Sequence, residues 1–311
     1  MDDRTSMASA AGEEVVGASS GNQKENIMFQ KDLLKDKVIF ITGGGTGLGK
    51  SMALGFASLG ANIAICGRRE EVLKEAAAEI EKKGTKVFYA PCDVRKYDEV
   101  EKVVDGIYEK FGKISGLVNN AAGNFICPTE YLSPNGFDAV VKIVLYGSFH
   151  STHAVGKRWI NEGVGGRVLS ICTTYAWTGS AFVIPSACAK AGVLAMTQSL
   201  AVEWAKYKIR LNAVAPGPFK TEQTWANLMP DGFEGKMLAR NPLGRTGKHE
   251  ELSNLACYLM SDQAEYINGE CVTIDGGEWL QGAGEFNGLL ELTPEDWMKM
   301  KMKVEANREK K

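Results

Sequence analysis

This sequence has almost no net charge, no long apolar run and few prolines. Thirty-six basic against 38 acidic residues leave a formal net charge of −2, which gives no basic excess of the kind that nucleic-acid binding needs. No apolar run reaches the roughly 18 residues that span a bilayer. Nine prolines beside 35 glycines indicate many tight turns between strands and helices and not a disordered chain. The composition therefore predicts a globular protein with no membrane span and no nucleic acid as a partner.

Cysteine and histidine are also too scattered to build a scaffold of their own. None of the seven cysteines forms a Cys-x-x-Cys pair, and none of the three histidines lies at ligand spacing to a cysteine. The odd, dispersed set of cysteines favours a reducing compartment. In such a setting each thiol acts as a small buried hydrophobic group. The sequence predicts neither a metal site nor a disulfide framework.

From residue 37 onwards, short apolar runs alternate with amphipathic segments. The predicted strands cover residues 38–42, 62–66, 86–91, 116–120, 167–171, 210–215 and 271–274. Helix-length segments lie between them, including residues 70–83, 98–111, 136–160, 186–206 and 250–260. Near-continuous apolar strands that alternate with helices indicate a parallel sheet covered on both faces. The sequence therefore predicts an α/β fold in a single domain, with a doubly wound seven-stranded parallel sheet of the Rossmann type.

Three segments depart from this alternation. Residues 1–30 are rich in Ala, Ser, Gly and Glu and predict a flexible tail. Within the predicted domain, residues 31–285, the glycines and prolines of residues 220–245 predict a mobile substrate flap. Residues 286–311 form a predicted C-terminal extension, in which Thr293 to Asp296 carry a helix-capping signal.

A glycine-rich loop directly follows the first predicted strand and opens a helical pattern. Glycines let the backbone approach a pyrophosphate closely, and the helix N-terminus offers unpaired N–H groups and a positive dipole end. This position at the start of seven strand–helix units predicts a dinucleotide site. Its predicted cofactor contacts are Gly43, Gly44, Gly45, Thr46, Gly47, Leu48 and Gly49.

The end of the second strand bears on the choice of dinucleotide. An NAD site usually has an Asp or Glu there, bonded to the ribose 2′-hydroxyl. This chain has Arg68 and Arg69 instead, and guanidinium groups suit a 2′-phosphate. The arginines favour NADPH, although a solvated loop would also tolerate them. Asp93 and Val94 after the third strand are placed to meet the adenine, and Asn120 after the fourth lies at the same sheet edge.

These motifs resemble the short-chain dehydrogenase/reductase family over roughly residues 36–280. The resemblance rests on Thr-Gly-x-x-x-Gly-x-Gly at 42–49, Asn-Asn-Ala-Ala-Gly at 119–123 and Pro-Gly at 216–217. Most members have a Tyr-x-x-x-Lys pair that exchanges the proton. Here Lys190 is present, but Ser186 occupies the tyrosine position. A serine hydroxyl is far less acidic than a phenol beside an ammonium group, so ordinary alcohol–ketone interconversion is disfavoured.

Tyr175, on the loop after the fifth strand, offers a replacement phenol. The surrounding residues 171–179 resemble the 2,4-dienoyl-CoA reductase branch of the family, with further agreement at 92–95, 122–125, 216–221, 275–278 and 284–287. The resemblance favours the mitochondrial type, a homotetramer and a role in unsaturated fatty-acid β-oxidation. The sequence itself has no convincing presequence and no peroxisomal Ser-Lys-Leu ending, so the cytosol stays open as the alternative.

The resemblance implies hydride delivery from NADPH to the δ-carbon of a 2,4-dienoyl thioester. Tyr175 and Asn124 would donate hydrogen bonds to the thioester oxygen, and a proton from water would return at the α-carbon to leave 3-enoyl-CoA. Lys190 would hold the nicotinamide ribose, and Ser186 would order the hydrogen bonds. The remaining implied contacts are Pro216, Gly217, Pro218 and Phe219 to the cofactor, and Arg95, Phe125 and Ser133 to the acyl-CoA substrate.

Other interpretations stay open at this point. Tyr175 could pack on Trp177, Asn124 could cap a turn, and Arg95 could be a surface charge. The protein could reduce another carbonyl substrate with Tyr175 as acid, or bind NADP(H) without catalysis. Two residues also depart from the family: Tyr146 replaces an asparagine that kinks a helix and holds a water near the lysine, and Asn227 stands where an arginine is expected near coenzyme A.

Overall fold

The computed structural model describes residues 29–221 and 232–309. Its seven strands are β1 (Val38–Thr42), β2 (Asn62–Gly67), β3 (Val87–Pro91), β4 (Gly116–Asn119), β5 (Gly166–Ile171), β6 (Ile209–Pro216) and β7 (Cys271–Ile274). Every strand end lies within one residue of its predicted position. All strands pair in parallel, in the order β3-β2-β1-β4-β5-β6-β7. The predicted fold class is confirmed.

Helices cover both faces of this sheet. They are α1 (Gly47–Ser58), α2 (Glu70–Glu81), α3 (Tyr97–Phe111), α4 (Pro134–Val141), α5 (Gly147–Glu162), α6 (Tyr175–Thr178), α7 (Ile184–Glu203), α8 (Phe233–Arg240), α9 (His249–Met260), α10 (Glu278–Ala283) and α11 (Pro294–Glu309). None of the helices among the described residues is long and apolar enough to cross a membrane.

Two hydrophobic cores lie on opposite faces of the sheet. The five residues of β1 are all buried, and their side chains alternate between the two faces. Ile39 and Ile41 pack with α1, α2 and α9 in one core. Val38 and Phe40 pack with α3 and α5 in the other. Burial on both sides explains why the strand sequence is continuously apolar.

The predicted helix over residues 136–160 has an irregular middle. A π-helical segment, Lys142–Tyr146, separates α4 from α5. Directly after it, Gly147 packs so closely on the loop after β3 that an added Cβ would lie 2.6 Å from Val94 Cγ2. The helix is therefore interrupted at the position where Tyr146 replaces the family's asparagine. π-Helical turns of this kind occur often near functional sites.

All three departing segments lie partly outside the described residues. Those not described are nearly all of the predicted N-terminal tail, residues 222–231 of the predicted flap, with Asn227 among them, and residues 310–311 of the predicted C-terminal extension. The rest of the flap contains α8. At the other end, Thr293 Oγ1 accepts from Asp296 N at 3.3 Å and Asp296 Oδ2 accepts from Thr293 N at 3.2 Å. These reciprocal bonds confirm the capping signal that opens α11.

Candidate active site

A cavity of about 1290 Å³ lies at the carboxyl edge of the sheet, where segments that follow all seven strands meet. The strand order reverses between β1 and β4, and open parallel sheets bind ligands at such a point. Most of the predicted site residues line this cavity: Gly43, Gly45, Thr46, Gly47, Leu48, Gly49, Arg68, Asp93, Val94, Asn120, Asn124, Tyr175, Ser186, Lys190, Pro216, Gly217, Pro218 and Phe219.

The glycine loop is held in place by Asn120. Its Nδ2 donates to the carbonyl oxygens of Thr42 at 2.9 Å and Gly43 at 3.1 Å. An added Cβ on Gly49 would lie 2.5 Å from that same Nδ2, so only glycine fits there. Gly44 does not line the cavity; it faces β2, where a Cβ would lie 2.4 Å from Ile65 Cγ2. Asn120 thus braces the loop, and Gly44 serves its packing on the sheet.

The loop delivers the N-terminus of α1 to the cavity. Thr46 precedes the helix, and its side chain makes no capping hydrogen bond. The first turn of α1 also contains no acidic residue. Its backbone N–H groups and positive dipole end therefore remain available to an anionic ligand.

Arg68 and Arg69 line the cavity after β2, close to Asp93 after β3. The Asp93 carboxylate accepts bonds from Arg95 Nε at 2.9 and 2.8 Å. This side-chain bond from Arg95 is the main cause that lowers the pKa of Asp93, and the charge of Arg68 adds to it. Arg95 itself, predicted to contact acyl-CoA, lies outside the cavity lining. The structure thus places one guanidinium on a carboxylate and leaves two at the cavity wall.

Tyr175 and Ser186 meet at the opposite end of the cavity. The Tyr175 hydroxyl lies 2.9 Å from Ser186 Oγ, which joins the short helix α6 to the first turn of α7. Ser186 is buried and Tyr175 is partly exposed to the cavity. The phenol on the loop after β5 therefore reaches the hydroxyl that replaces tyrosine on α7. The predicted alternative, a tyrosine that only packs on Trp177, does not describe this contact.

Lys190 lies one turn further along α7. Its Nζ donates to the carbonyl oxygen of Ile171 at the end of β5. Burial lowers the pKa of this ammonium group. The Cys172 thiol, directly after β5, donates to the backbone carbonyl oxygen of Lys190 at 3.4 Å. A side-chain hydrogen bond with Cys271, followed by the Lys190 charge, lowers the pKa of Cys172 to about 7. A buried cation is thereby held at the cavity wall.

Two further polar side chains face the cavity near Tyr175. Asn124 Oδ1 accepts from the backbone N–H of Phe125 at 2.9 Å, as a turn cap does. The other end of its amide, Nδ2, has no partner within the described residues. The hydroxyl of Thr173 is buried and likewise has no partner in the described part of the chain. Both groups could bond a ligand, and buried polar groups without a partner are uncommon.

Three other residues lie away from the cavity lining. Phe125 packs against Val140 and its neighbours on α4 and α7. Ser133 caps α4, where its Oγ accepts from Gly136 N at 3.1 Å. Tyr146 is half exposed and its ring contacts His150, so the structure shows no relay from it to Lys190. The substrate roles predicted for Phe125 and Ser133 remain predictions.

Residues that close the cavity after β7 and on α8 were not predicted from the sequence. Glu278 and Trp279 on α10 line it, as do Met237 and Arg240 on α8. Helix α10 packs on α8, and the ring of Trp279 meets Trp177 edge to face at 6.0 Å. The signal that could have found Glu278 is its place directly after the last strand, since ligands bind at the carboxyl ends of parallel strands.

The residues present fit a dinucleotide with a 2′-phosphate. Four glycines of the loop, Gly43, Gly45, Gly47 and Gly49, bring backbone without a Cβ to the cavity, and the first turn of α1 can receive a pyrophosphate. Arg68 and Arg69 line the wall where the ribose of the adenosine half would lie. At the other end, the unpartnered Thr173 hydroxyl and the Lys190 ammonium can bond the nicotinamide half.

Known proteins are similar to this chain in sequence. A scan against protein families matches residues 43–278 to the family described as Enoyl-(Acyl carrier protein) reductase. A Bacillus subtilis protein named as a probable 2,4-dienoyl-CoA reductase, (2E)-enoyl-CoA-producing, is 45% identical over 253 residues, which cover 79% of this chain and 98% of that protein. A Caenorhabditis elegans protein named probable 2,4-dienoyl-CoA reductase 3, (3E)-enoyl-CoA-producing, is 47% identical over 252 residues, which cover 79% of this chain and 81% of that protein.

A solved structure agrees with these relatives. The crystal structure of a short-chain dehydrogenase from Bacillus anthracis is 49% identical, covers 79% of this chain and 98% of that chain, and superposes with a TM-score of 0.73. The fold, the glycine loop and these relatives together show that the chain belongs to the short-chain dehydrogenase/reductase family, whose fold binds NAD or NADP.

Proposed function

We propose that this protein is an NADPH-dependent 2,4-dienoyl-CoA reductase that forms 3-enoyl-CoA during unsaturated fatty-acid β-oxidation. The observation that carries the proposal is the contact between Tyr175 and Ser186 in the same cavity as Lys190. It puts the phenol on the loop after β5, where it can bond the oxygen of a conjugated thioester. The names of the Bacillus subtilis and Caenorhabditis elegans relatives support the same reaction.

Bound NADPH supplies the hydride that adds to the δ-carbon of the substrate. The chain's own residues then stabilise the charge that moves onto the thioester oxygen. Tyr175 donates its hydroxyl hydrogen to that oxygen, and the free Nδ2 of Asn124 is a second donor. Preorganised donors of this kind lower the barrier because they are already oriented before the charge develops. Ser186 keeps the Tyr175 hydroxyl in position.

Lys190 acts on the cofactor side of the same cavity. Its buried ammonium is fixed by the Ile171 carbonyl and can hold the nicotinamide ribose. The positive charge also favours electron density that builds up nearby. At the far end, Arg68 and Arg69 give the site its preference for NADPH through bonds to the 2′-phosphate. The residues 216–219 form the wall between these two ends.

Turnover with a dienoyl-CoA and NADPH tests the proposal directly. We expect NADPH oxidation with 2,4-hexadienoyl-CoA and a 3-enoyl-CoA product, with little reduction of simple ketones. Reduction of ketones without dienoyl-CoA turnover would instead support the ketone reductase, with Tyr175 as acid. Tight NADPH binding without turnover of any enoyl or dienoyl thioester would indicate a non-catalytic binding protein.

Location and assembly are part of the proposal and come from the resemblance alone. We expect a homotetramer in solution, which sedimentation of the purified chain would test. A mitochondrial location is expected with the β-oxidation role, and fractionation of the source cells would test it against the cytosol.

A further inference from the structure

The reduction needs an acid that the residues assigned so far do not provide. After the hydride adds at the δ-carbon, the dienolate must take up a proton at its α-carbon to become 3-enoyl-CoA. Tyr175 and Asn124 are occupied as donors to the thioester oxygen, which is a different atom. Lys190 donates to the Ile171 carbonyl and serves the ribose side. The Cys172 thiol is fully buried and donates to a backbone carbonyl.

Two carboxyl groups line the cavity within the described residues, Asp93 and Glu278. Asp93 is bonded by Arg95, which lowers its pKa and keeps it ionised. It also lies beside Arg68, at the end assigned to the adenosine. Glu278 differs in each respect: the structure gives it no ion pair among the described residues, and its side chain is half-buried at the cavity wall. Asp93 is therefore a poor proton donor, and Glu278 is the carboxyl that remains.

The surroundings of Glu278 favour its neutral, proton-carrying form. Burial is the main cause that raises its pKa, the Arg240 guanidinium on α8 opposes the shift, and the Asp275 carboxylate adds to it. Arg240 acts from α8, which packs against α10, and Asp275 acts from the loop that leads into α10. Asp275 also anchors α10, because its Oδ1 and Oδ2 each accept a backbone N–H at 2.9 Å, from Gly277 and Trp279. The anchored helix thus holds the Glu278 carboxyl in place, and the raised pKa favours the protonated form that a general acid needs.

Helix α10, which carries Glu278, contacts the segment that carries the phenol. Trp279, the neighbour of Glu278, packs edge to face on Trp177, two residues after Tyr175. From these observations we infer that Glu278 is the acid that protonates the α-carbon of the dienolate. The O–H bond of the carboxyl breaks, the electron pair of the dienolate forms the new C–H bond, and the carboxylate remains. Because Glu278 is only half-buried, solvent returns the proton before the next turnover. This role rests on the proposed function and replaces bulk water as the immediate donor.

Glu278→Gln tests the inference, because the amide keeps the size of the side chain but cannot supply this proton. With NADPH and 2,4-hexadienoyl-CoA we expect kcat to fall by about 100-fold, as the loss of a general acid does. In the wild type, kcat should decline as pH rises through the pKa of Glu278, because the ionised carboxylate cannot donate. In Glu278→Gln that alkaline decline should be absent. Glu278→Asp should restore part of the activity together with the decline.

Two controls separate this role from structural damage. Binding of NADPH, followed by its fluorescence, should be unchanged in Glu278→Gln, since the cofactor contacts lie elsewhere. Glu285→Gln changes an exposed carboxyl that follows α10 and lies outside the cavity lining, so its kcat should match the wild type. A Glu278→Gln variant with wild-type kcat, or with the wild-type pH profile, would overturn the role of Glu278 alone. A wild-type protein that does not reduce dienoyl-CoA would overturn the proposed function, and this role with it.

Discussion

Removal of the Tyr175 hydroxyl should slow dienoyl-CoA reduction by about two orders of magnitude. Tyr175→Phe keeps the ring and therefore the packing of α6, and it removes only the atom that lies 2.9 Å from Ser186 Oγ. One donor to a developing oxyanion contributes about 3 kcal/mol of barrier. Since each factor of ten in rate corresponds to about 1.4 kcal/mol, kcat should fall about 100-fold.

Steady-state oxidation of NADPH by 2,4-hexadienoyl-CoA measures this loss, and NADPH fluorescence reports whether the cofactor still binds. Tyr146→Phe is the matched control, because Tyr146 is half exposed and outside the cavity lining. It should leave kcat unchanged. If Tyr175→Phe stays within about threefold of the wild type while it binds NADPH normally, Tyr175 does not stabilise the transition state and the mechanism is refuted.

The same contact sets the expectation for Ser186. A neutral hydrogen bond contributes about 1 kcal/mol, so Ser186→Ala should lower kcat about fivefold. Ser186 acts by positioning the phenol, and in the Tyr175→Phe background its removal should therefore cost no further activity. Equal losses in both backgrounds would show that Ser186 acts independently of Tyr175.

Three further expectations concern the cofactor end and the fold. Arg68→Ala should weaken NADPH binding about tenfold or more and NADH binding little, because a charged hydrogen bond to the 2′-phosphate is lost. Titration of the variant with both cofactors measures this, and equal weakening of the two would remove the basis for a preference for NADPH. Gly49→Ala should lower the melting temperature and NADPH affinity through an overpacking cost of about 1–3 kcal/mol against Asn120, whereas Gly288→Ala, which meets nothing within 4 Å, should change neither. Lys190→Met should weaken NADPH binding and lower kcat. Because the substitution removes a buried charge, it should not lower the melting temperature. A large thermal destabilisation would instead show that Lys190 has a structural role.

The sheet could be predicted from the sequence because its strands are buried on both faces. A run such as Val38–Thr42 contains only side chains that pack into one core or the other, and the glycine loop marks its end. The π-helical segment Lys142–Tyr146 was not predicted, because it lies inside a stretch that continues as helix on both sides. Local patterns thus predict the strands, whereas a local irregularity inside a helix depends on what the helix packs against.

The side-chain contacts of the site were harder to predict from the sequence than the position of the site. The glycine loop and the arginines after β2 are local motifs, so their placement at the cavity followed from the strand they succeed. Arg95 shows the limit: the resemblance implies a substrate contact, but the guanidinium of Arg95 lies on Asp93 two residues away. Glu278 lines the cavity but was not predicted, because its place beside Arg240 depends on the packing of α10 on α8. Side-chain pairing of this kind carries no period in the sequence.

Serine at 186 and tyrosine at 175 are best understood as one arrangement and not as two substitutions. Their oxygens lie 2.9 Å apart, so the phenol on α6 and the hydroxyl on α7 meet at one point of the cavity. A phenol carried on α7 approaches that point from beside Lys190, whereas one carried on α6 approaches from the loop after β5, next to the wall formed by α10. Tyr175 therefore supplies a phenol to a cavity in which the usual position on α7 has only a serine hydroxyl. The loss of the usual tyrosine is therefore compatible with catalysis, and it favours a reaction in which the phenol stabilises an oxyanion while a different group protonates carbon.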